Sequence, residues 1–193
     1  MGKLVVSENV TIDGVIQDPT GEEGFESGGW FDQMSDADRE QWAKVEFQEA
    51  LDTQAWLVGR GTYTWFAERW AARPGEWADR LRSIPKYVVS STLDEASAWT
   101  NSTVLRGDLV EEVSKLKETL DGDILVYASA PLVQTLMAHD LVDELRLITH
   151  PFVLGVGQRL FGQTSDRQAL RLVSVRTIGE SLALLIYQPV RDA

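Results

Sequence analysis

Small and polar residues follow three apolar segments of this 193-residue chain, at points where a strand would pass into a helix or loop. The first set is Gly59, Arg60 and Thr62 in WLVGRGTY, and the second is Ser90 and Ser91 at the end of KYVVSS. The third is Ala128, Ser129 and Ala130 after DILVY. Small residues let a backbone approach a phosphate closely, an arginine binds an anion with its planar fork, and a helix N-terminus offers free amides.

Each turn taken alone is also what tight packing between a strand and a helix produces. Three such turns at one sheet edge indicate a dinucleotide, because the hydroxyls of Ser90 and Ser91 suit a ribose or its 2′-phosphate beside Arg60. Small residues around Ser129 leave room for a diphosphate over a helix end. The glycine-rich GxGxxG pattern of Rossmann folds is absent.

Strands and helices alternate along most of the chain. A first apolar run at 3–7 precedes a long Gly- and Asp-rich loop and a helix over 35–53. Further strands are predicted at 55–59, 86–92, 103–107, 123–129, 143–154, 170–178 and 182–190, and further helices at 62–70, 108–120 and 131–140. Helical connections favour parallel pairing, whereas the closing strands, which follow one another directly, favour antiparallel pairing. The predicted fold is a single α/β domain over 1–193, a mixed, largely parallel sheet flanked by helices with antiparallel C-terminal strands.

Composition narrows the function classes. The net charge is −12, which argues against binding to nucleic acid or to an anionic membrane. Residues 1–52 carry a net charge of −10 and residues 53–193 only −2, so an anionic ligand is tolerable in the second part. The chain has no cysteine and two histidines, so we expect no metal site, and we expect a soluble, cytoplasmic protein because no apolar run approaches 18 residues.

Blocks over nearly the whole length resemble the dihydrofolate reductase superfamily, in the branch of the C-terminal reductase domain of bacterial riboflavin biosynthesis. The resemblance is to the small stand-alone proteins of that branch. The blocks are VSENVTIDGVIQDP, GGWF, LVGRGTYTWF, PKYVVSSTLDE, GDILVYASAPLVQTLMAHDLVDELRL and HPFVLGVGQRLF. The resemblance implies a reductase fold, NADPH as hydride donor, a small-molecule substrate and a homodimer.

The resemblance also assigns cofactor-binding residues. It places Gly59, Arg60 and Thr62 in the first cofactor turn, with Arg60 near the adenosine 2′-phosphate. It places Ser90 and Ser91 on the adenosine side, and the turn 128–130 at the diphosphate. Relatives usually have glycine where this chain has Ala128 and Ala130, and a methyl group there narrows the channel and disfavours positive φ.

Hydride transfer to a C=N or C=O bond also requires a proton. Asp13 is the first catalytic candidate because it matches the family's substrate-side aspartate; as Asp followed by Gly it is equally typical of a turn. Glu8 is a second candidate. Trp30 is expected to form an aromatic wall over a flat substrate.

Two functions therefore stay open. The leading one is an NADPH-dependent reductase of a small heterocyclic or carbonyl compound, pterin-like or of the 5-amino-6-ribosylaminouracil type. The alternative is a non-catalytic protein of the same fold that binds NADP(H) or a small molecule, which the alanines at 128 and 130 favour.

Overall fold

The structure is a computed structural model, and it describes residues 1–162 and 167–191. The strands are β1 (Lys3–Thr11), β2 (Thr53–Gly59), β3 (Lys86–Val89), β4 (Ser102–Leu105), β5 (Asp123–Tyr127), β6 (Glu144–His150), β7 (Leu170–Ile178) and β8 (Leu182–Pro189). The helices are α1 (Asp36–Asp52), α2 (Arg60–Trp70), α3 (Glu76–Ser83), α4 (Leu109–Thr119) and α5 (Ala130–Ala138), with a 3-10 helix at Trp30–Gln33.

The eight described strands form one sheet in the order β4-β3-β2-β5-β1-β6-β8-β7. β2 pairs in parallel with both β3 and β5, and β3 pairs in parallel with β4. β8 pairs antiparallel with β6 on one side and β7 on the other. The predicted α/β class, with a largely parallel sheet and antiparallel C-terminal strands, is confirmed.

β1, α2 and α3 differ from the sequence-based prediction, and β3 and β6 end earlier than predicted, at Val89 and His150. β1 continues to Thr11, through a segment that the prediction assigned to a loop because it contains Glu8 and Asn9; both polar residues are buried. α3 was not predicted, since half of its eight residues are charged and Pro74-Gly75 precedes it. α2 begins at Arg60 with Gly59 as N-cap, two residues before the predicted start at residue 62.

The described residues form two compact units, 1–6 with 47–143 and 7–46 with 144–191. The core of the first unit lies beneath α2 and α3 and is rich in aromatic residues. Trp56 of β2 packs edge-on against Phe66 of α2, and Trp99 stacks parallel to Phe66. The Tyr63 hydroxyl accepts a hydrogen bond from the backbone N–H of Trp99 at 2.9 Å, which fixes the loop before β4.

The core of the second unit lies on one face of the C-terminal strands. Ile148 of β6, Ile178 of β7 and Leu184 of β8 are buried there, and Trp42 and Val45 of α1 pack against them. The helix is tied to the β7–β8 turn as well. The Asp38 carboxylate accepts the Ser181 hydroxyl and the backbone N–H groups of Glu180 and Ser181, and these bonds lower its pKa against the opposing effect of burial.

Candidate functional site

The first turn presents two glycines that the protein's own packing does not require. Gly59 has φ −75° and Gly61 has no positive φ, so neither is needed for an unusual backbone conformation. A Cβ added at Gly61 would meet no heavy atom within 4 Å, and one at Gly59 would make ordinary contact with Ser129. The missing side chains therefore leave open space at the start of α2, where its first N–H groups lack helical partners.

A cavity of about 440 Å³ lies beside this turn, within the first unit. It is a suitable size for part of a cofactor. The side chains that line it include two arginines and three hydroxyls and no carboxylate: Arg60, Ser90, Ser91, Thr92 and Arg106, with Val89, Leu105 and Gly107 completing the wall. The lining is thus cationic in a chain of net charge −12.

The guanidinium group of Arg60 is available to bind an anionic ligand. Its Nη1 donates to the Thr92 hydroxyl at 2.8 Å, and among the described residues no carboxylate lies within ion-pair distance of it. Arg106 is the second cation and was not predicted. Its Nη2 donates to the carbonyls of Leu93 and Asp94, and it lies 3.6 Å from the exposed Asp94 carboxylate. Arg106 therefore holds the loop 91–94 that carries Thr92.

The two serines of the second turn have different environments. Ser90 is buried, and its Oγ accepts the backbone N–H groups of Thr92 at 3.2 Å and Leu93 at 3.0 Å. This is a hydroxyl-stabilised turn, so Ser90 shapes the loop. Ser91 is exposed in the cavity wall. The direct binding roles predicted for Ser90 and Ser91 stay predictions.

The third turn adopts a strained conformation. Ala128 has φ 50° and Ser129 has φ 61°, two consecutive non-glycine residues in the left-handed region. Each such residue costs on the order of 1 to 2 kcal/mol, so the surroundings must hold them in place. Ser129 supplies part of that constraint: its Oγ accepts the Gly59 N–H at 3.0 Å and lies 2.7 Å from the Thr62 hydroxyl. The first and third turns are therefore in direct contact.

Ser129 also precedes α5 as its N-cap, although its side chain makes no capping bond to that helix. Ala130 is the first helical residue and is 2 % exposed, and Pro131 follows where a missing N–H is harmless. The structure thus brings Gly59, Thr62 and Ser129 together, and places Arg60 with Ser90 and Ser91 around one cavity. The cofactor-binding role of these residues stays a prediction.

Asp13, the catalytic candidate, is held by several donors within the second unit. Its carboxylate accepts the Thr11 hydroxyl at 2.7 Å and the backbone N–H groups of Gly155 at 2.8 Å and Leu154 at 3.2 Å, and Arg159 lies 3.3 Å away. The Thr11 bond, followed by the Gly155 bond, lowers the pKa of Asp13 to about 2. Asp13 is thus a carboxylate at neutral pH that anchors the loop 154–159. Its catalytic role stays a prediction.

Trp30, the expected aromatic wall, is 0 % exposed. Its Nε1 donates to the carbonyl of Gln17 at 3.2 Å, and its ring packs edge-on against Phe31 and His150. In this conformation no part of the indole ring reaches solvent. A stacking role for Trp30 would require the 3-10 helix to move, and the substrate-binding role stays a prediction.

A buried polar network that was not predicted lies next to Trp30. Asn9 Oδ1 accepts from Trp42 Nε1 at 2.9 Å, while Asn9 Nδ2 donates to Glu46 Oε1 at 3.1 Å. These two bonds fix which way the amide points, so His150 Nε2, 3.0 Å from the same Oδ1, must be the protonated ring nitrogen. His150 Nδ1 is then an acceptor that has no hydrogen-bond partner within the described part of the chain, and burial lowers the pKa of this histidine to about 4.

The strand order and the structural neighbours define the fold: the chain has a dihydrofolate reductase-like fold. It belongs to the RibD C-terminal domain family, whose model matches residues 2–184. Family and fold relate the chain to reductases, and the resemblance seen in the sequence is confirmed.

Individual relatives agree with this assignment. The uncharacterised protein YyaP of Bacillus subtilis is 36% identical over 107 residues. This match covers 55% of this chain and 56% of YyaP, so it extends over about half of each protein. A protein from Shewanella sp. PV-4 described as a candidate riboflavin biosynthesis protein is 19% identical, with a TM-score of 0.70 over 98% of this chain and 99% of that one. Dihydrofolate reductase from Enterococcus faecalis, solved with NADP(H), is 15% identical, with a TM-score of 0.57 over 97% and 96%.

No helix in the described ranges is long and apolar enough to cross a membrane.

Proposed function

We propose that this protein is an NADPH-dependent reductase that transfers a hydride to a small heterocyclic or carbonyl substrate, pterin-like or of the 5-amino-6-ribosylaminouracil type. Arg60, Thr92 and Arg106 would surround the adenosine 2′-phosphate, and the turn at Ser129 would receive the diphosphate. When bound, NADPH supplies the hydride. The family match and the fold shared with a reductase solved with NADP(H) support the reaction class.

One observation carries the proposal: Arg60 has no carboxylate within ion-pair distance among the described residues, and its cavity is lined by a second arginine and three hydroxyls but by no acidic side chain. In such an acidic chain, an arginine with no role beyond the surface would be expected to lie close to a carboxylate. A phosphate would give the Arg60 guanidinium an anionic partner and can accept bidentate hydrogen bonds from it. The 2′-phosphate is the group by which NADPH differs from NADH.

The second candidate is a non-catalytic protein that binds NADP(H) or a small molecule. The lowered pKa and the hydrogen bonds of Asp13 favour it. General-acid catalysis requires a group that still carries a proton near the working pH. With its pKa at about 2 and its oxygens already bonded to Thr11 and Gly155, Asp13 would have to act as an acceptor that orients the substrate, with water as the proton source.

Variants of the two arginines test the cofactor site. Arg60→Ala should weaken NADPH binding by about 5- to 150-fold, since a charge-assisted hydrogen bond contributes about 1 to 3 kcal/mol, and should leave NADH binding nearly unchanged. Arg106→Ala should act in the same direction. Arg176→Ala, an exposed arginine of β7 outside the cavity lining, is the matched control. Equal losses for NADPH and NADH in Arg60→Ala would overturn the assignment.

Turnover separates the two candidate functions. NADPH oxidation at 340 nm should accelerate with a dihydropterin or a ribosylaminopyrimidine, and Asp13→Asn should lower that rate while leaving NADPH affinity unchanged. Selective NADPH binding without oxidation of either substrate class would favour the non-catalytic candidate. If NADPH does not bind, both the reductase and the non-catalytic NADP(H)-binding protein are rejected.

A further inference from the structure

The hydroxyl group of Ser129 bridges two turns of the candidate cofactor site, both within the first compact unit. Its Oγ accepts the backbone N–H of Gly59 at 3.0 Å, and it shares a hydrogen bond of 2.7 Å with the Thr62 hydroxyl. Gly59 is the N-cap of α2, and Thr62 lies in the first turn of this helix. Backbone N–H and hydroxyl groups at the start of a helix are donors that a phosphate oxygen accepts. The Ser129 hydroxyl therefore uses two groups that a phosphate would also use.

This hydroxyl contacts the first turn and not the helix that Ser129 precedes. Serine is favoured at an N-cap because its side chain accepts an N–H from the first helical turn. Ser129 is the N-cap of α5, yet its side chain makes no capping bond to that helix. The N–H groups of Leu132 and Val133 donate instead to the Ser129 carbonyl oxygen, at 2.8 and 3.0 Å. The start of α5 therefore does not require the hydroxyl.

The Ser129 side chain also borders the open space beside the two glycines of the first turn. A Cβ added at Gly59 would lie 3.4 Å from Ser129 Oγ, whereas one added at Gly61 would meet no heavy atom within 4 Å. The backbone that carries this side chain is strained, since Ala128 has φ 50° and Ser129 has φ 61°. Ser129 is only half-buried, so its side chain has room to move when another group takes over its contacts.

We infer that the Ser129 hydroxyl competes with the cofactor diphosphate for the Gly59 N–H and the Thr62 hydroxyl. The inference rests on the proposed function, because it concerns the regulation of affinity at the same site. A phosphate oxygen carries negative charge, and charge-assisted hydrogen bonds are roughly twice as strong as neutral ones. The diphosphate therefore displaces the Ser129 hydroxyl, and the bonds that this hydroxyl gives up lower the net affinity for the dinucleotide.

Competition and direct binding predict opposite effects when the hydroxyl is removed. A hydroxyl that binds the diphosphate would strengthen cofactor binding, so its loss would weaken binding. A competing hydroxyl weakens binding, so its loss should strengthen binding by about 2- to 10-fold, the equivalent of one neutral hydrogen bond. NADPH and NADH share the diphosphate, so both affinities should change by the same factor. The ratio between the two affinities, which tests the 2′-phosphate contact of Arg60, should not change.

Isothermal titration of the full chain with NADPH and with NADH tests the inference. Ser129→Ala should bind both cofactors about 2- to 10-fold more tightly than the parent protein. Ser129→Gly should do the same, and it accommodates the φ of 61° if Ser129→Ala does not fold. Ser114→Ala is the matched control, because Ser114 is also half-buried but its hydroxyl donates to the Val110 carbonyl within α4. Adenosine 2′-monophosphate, which has no diphosphate, should bind the parent and Ser129→Ala equally.

A variant at the other end of the hydrogen bond separates competition from a purely structural tie. Thr62→Val should weaken the binding of NADPH and NADH by about tenfold or more, because the diphosphate loses a charge-assisted donor. If Ser129 and Thr62 only tied the two turns together, Ser129→Ala and Thr62→Val would change the affinity in the same direction. Unchanged or weaker NADPH binding in both Ser129 variants overturns the inference and leaves the proposed cofactor in place. A parent protein that does not bind NADPH overturns the proposed function itself.

Discussion

The buried histidine gives the sharpest quantitative prediction for stability. His150 is fully buried, and burial lowers its pKa from 6.5 to about 4, although Asp38 opposes this. Between these pH values the imidazole of His150 is protonated in the unfolded chain and neutral in the folded chain. The free energy of unfolding therefore falls as the pH decreases from 6.5 to 4, and a shift of about 2.5 units corresponds to a loss of about 3 kcal/mol.

The assay is urea denaturation followed by tryptophan fluorescence at a series of pH values across that window. His150→Gln should remove most of the slope, because a glutamine amide can still donate to Asn9 without titrating. His139→Gln is the matched control, since His139 is the other histidine and is exposed. If the parent and His150→Gln lose stability equally between pH 6.5 and 4, the placement of a neutral, desolvated His150 is wrong.

Four further substitutions test other parts of the structure. Burial lowers the pKa of Lys86 to about 8, so stability should rise by up to about 3 kcal/mol between pH 8 and 10.5, and Lys86→Met should lack this rise in urea titrations. Ala128→Gly should raise the unfolding free energy by up to about 1 kcal/mol by relieving a φ of 50°, whereas Ala130→Gly, inside α5, should lower it by about 0.5 to 1 kcal/mol. Since Asp13 has its pKa lowered to about 2, its stabilising effect is present above pH 4 and lost toward pH 2; Asp13→Asn should abolish that step in acid-unfolding curves.

Apolar periodicity predicted the fold well where the residues follow it. β7 was predicted with its observed bounds, because apolar residues recur along its whole length and Gly179 follows it. β1 was predicted four residues too short, since Asn9 is polar by type but buried through its bonds to Trp42 and Glu46. Such bonds link residues far apart in sequence, and composition does not show them.

The candidate site was predictable to the same extent. Parallel strands must end at the same edge, so the contact of Thr62 with Ser129 follows from topology. Arg106 could have been found by the same rule, because it directly follows β4. The bonds that hold Asp13 could not, because Gly155 and Arg159 are more than 140 residues away.

The central claim is that the cavity beside Arg60 recognises a 2′-phosphate. Isothermal titration of the parent protein with NADPH and with NADH, in the same low-salt buffer, tests it most directly. We predict a dissociation constant for NADPH that is about 5- to 150-fold lower than that for NADH. Equal affinities for the two cofactors would contradict the claim.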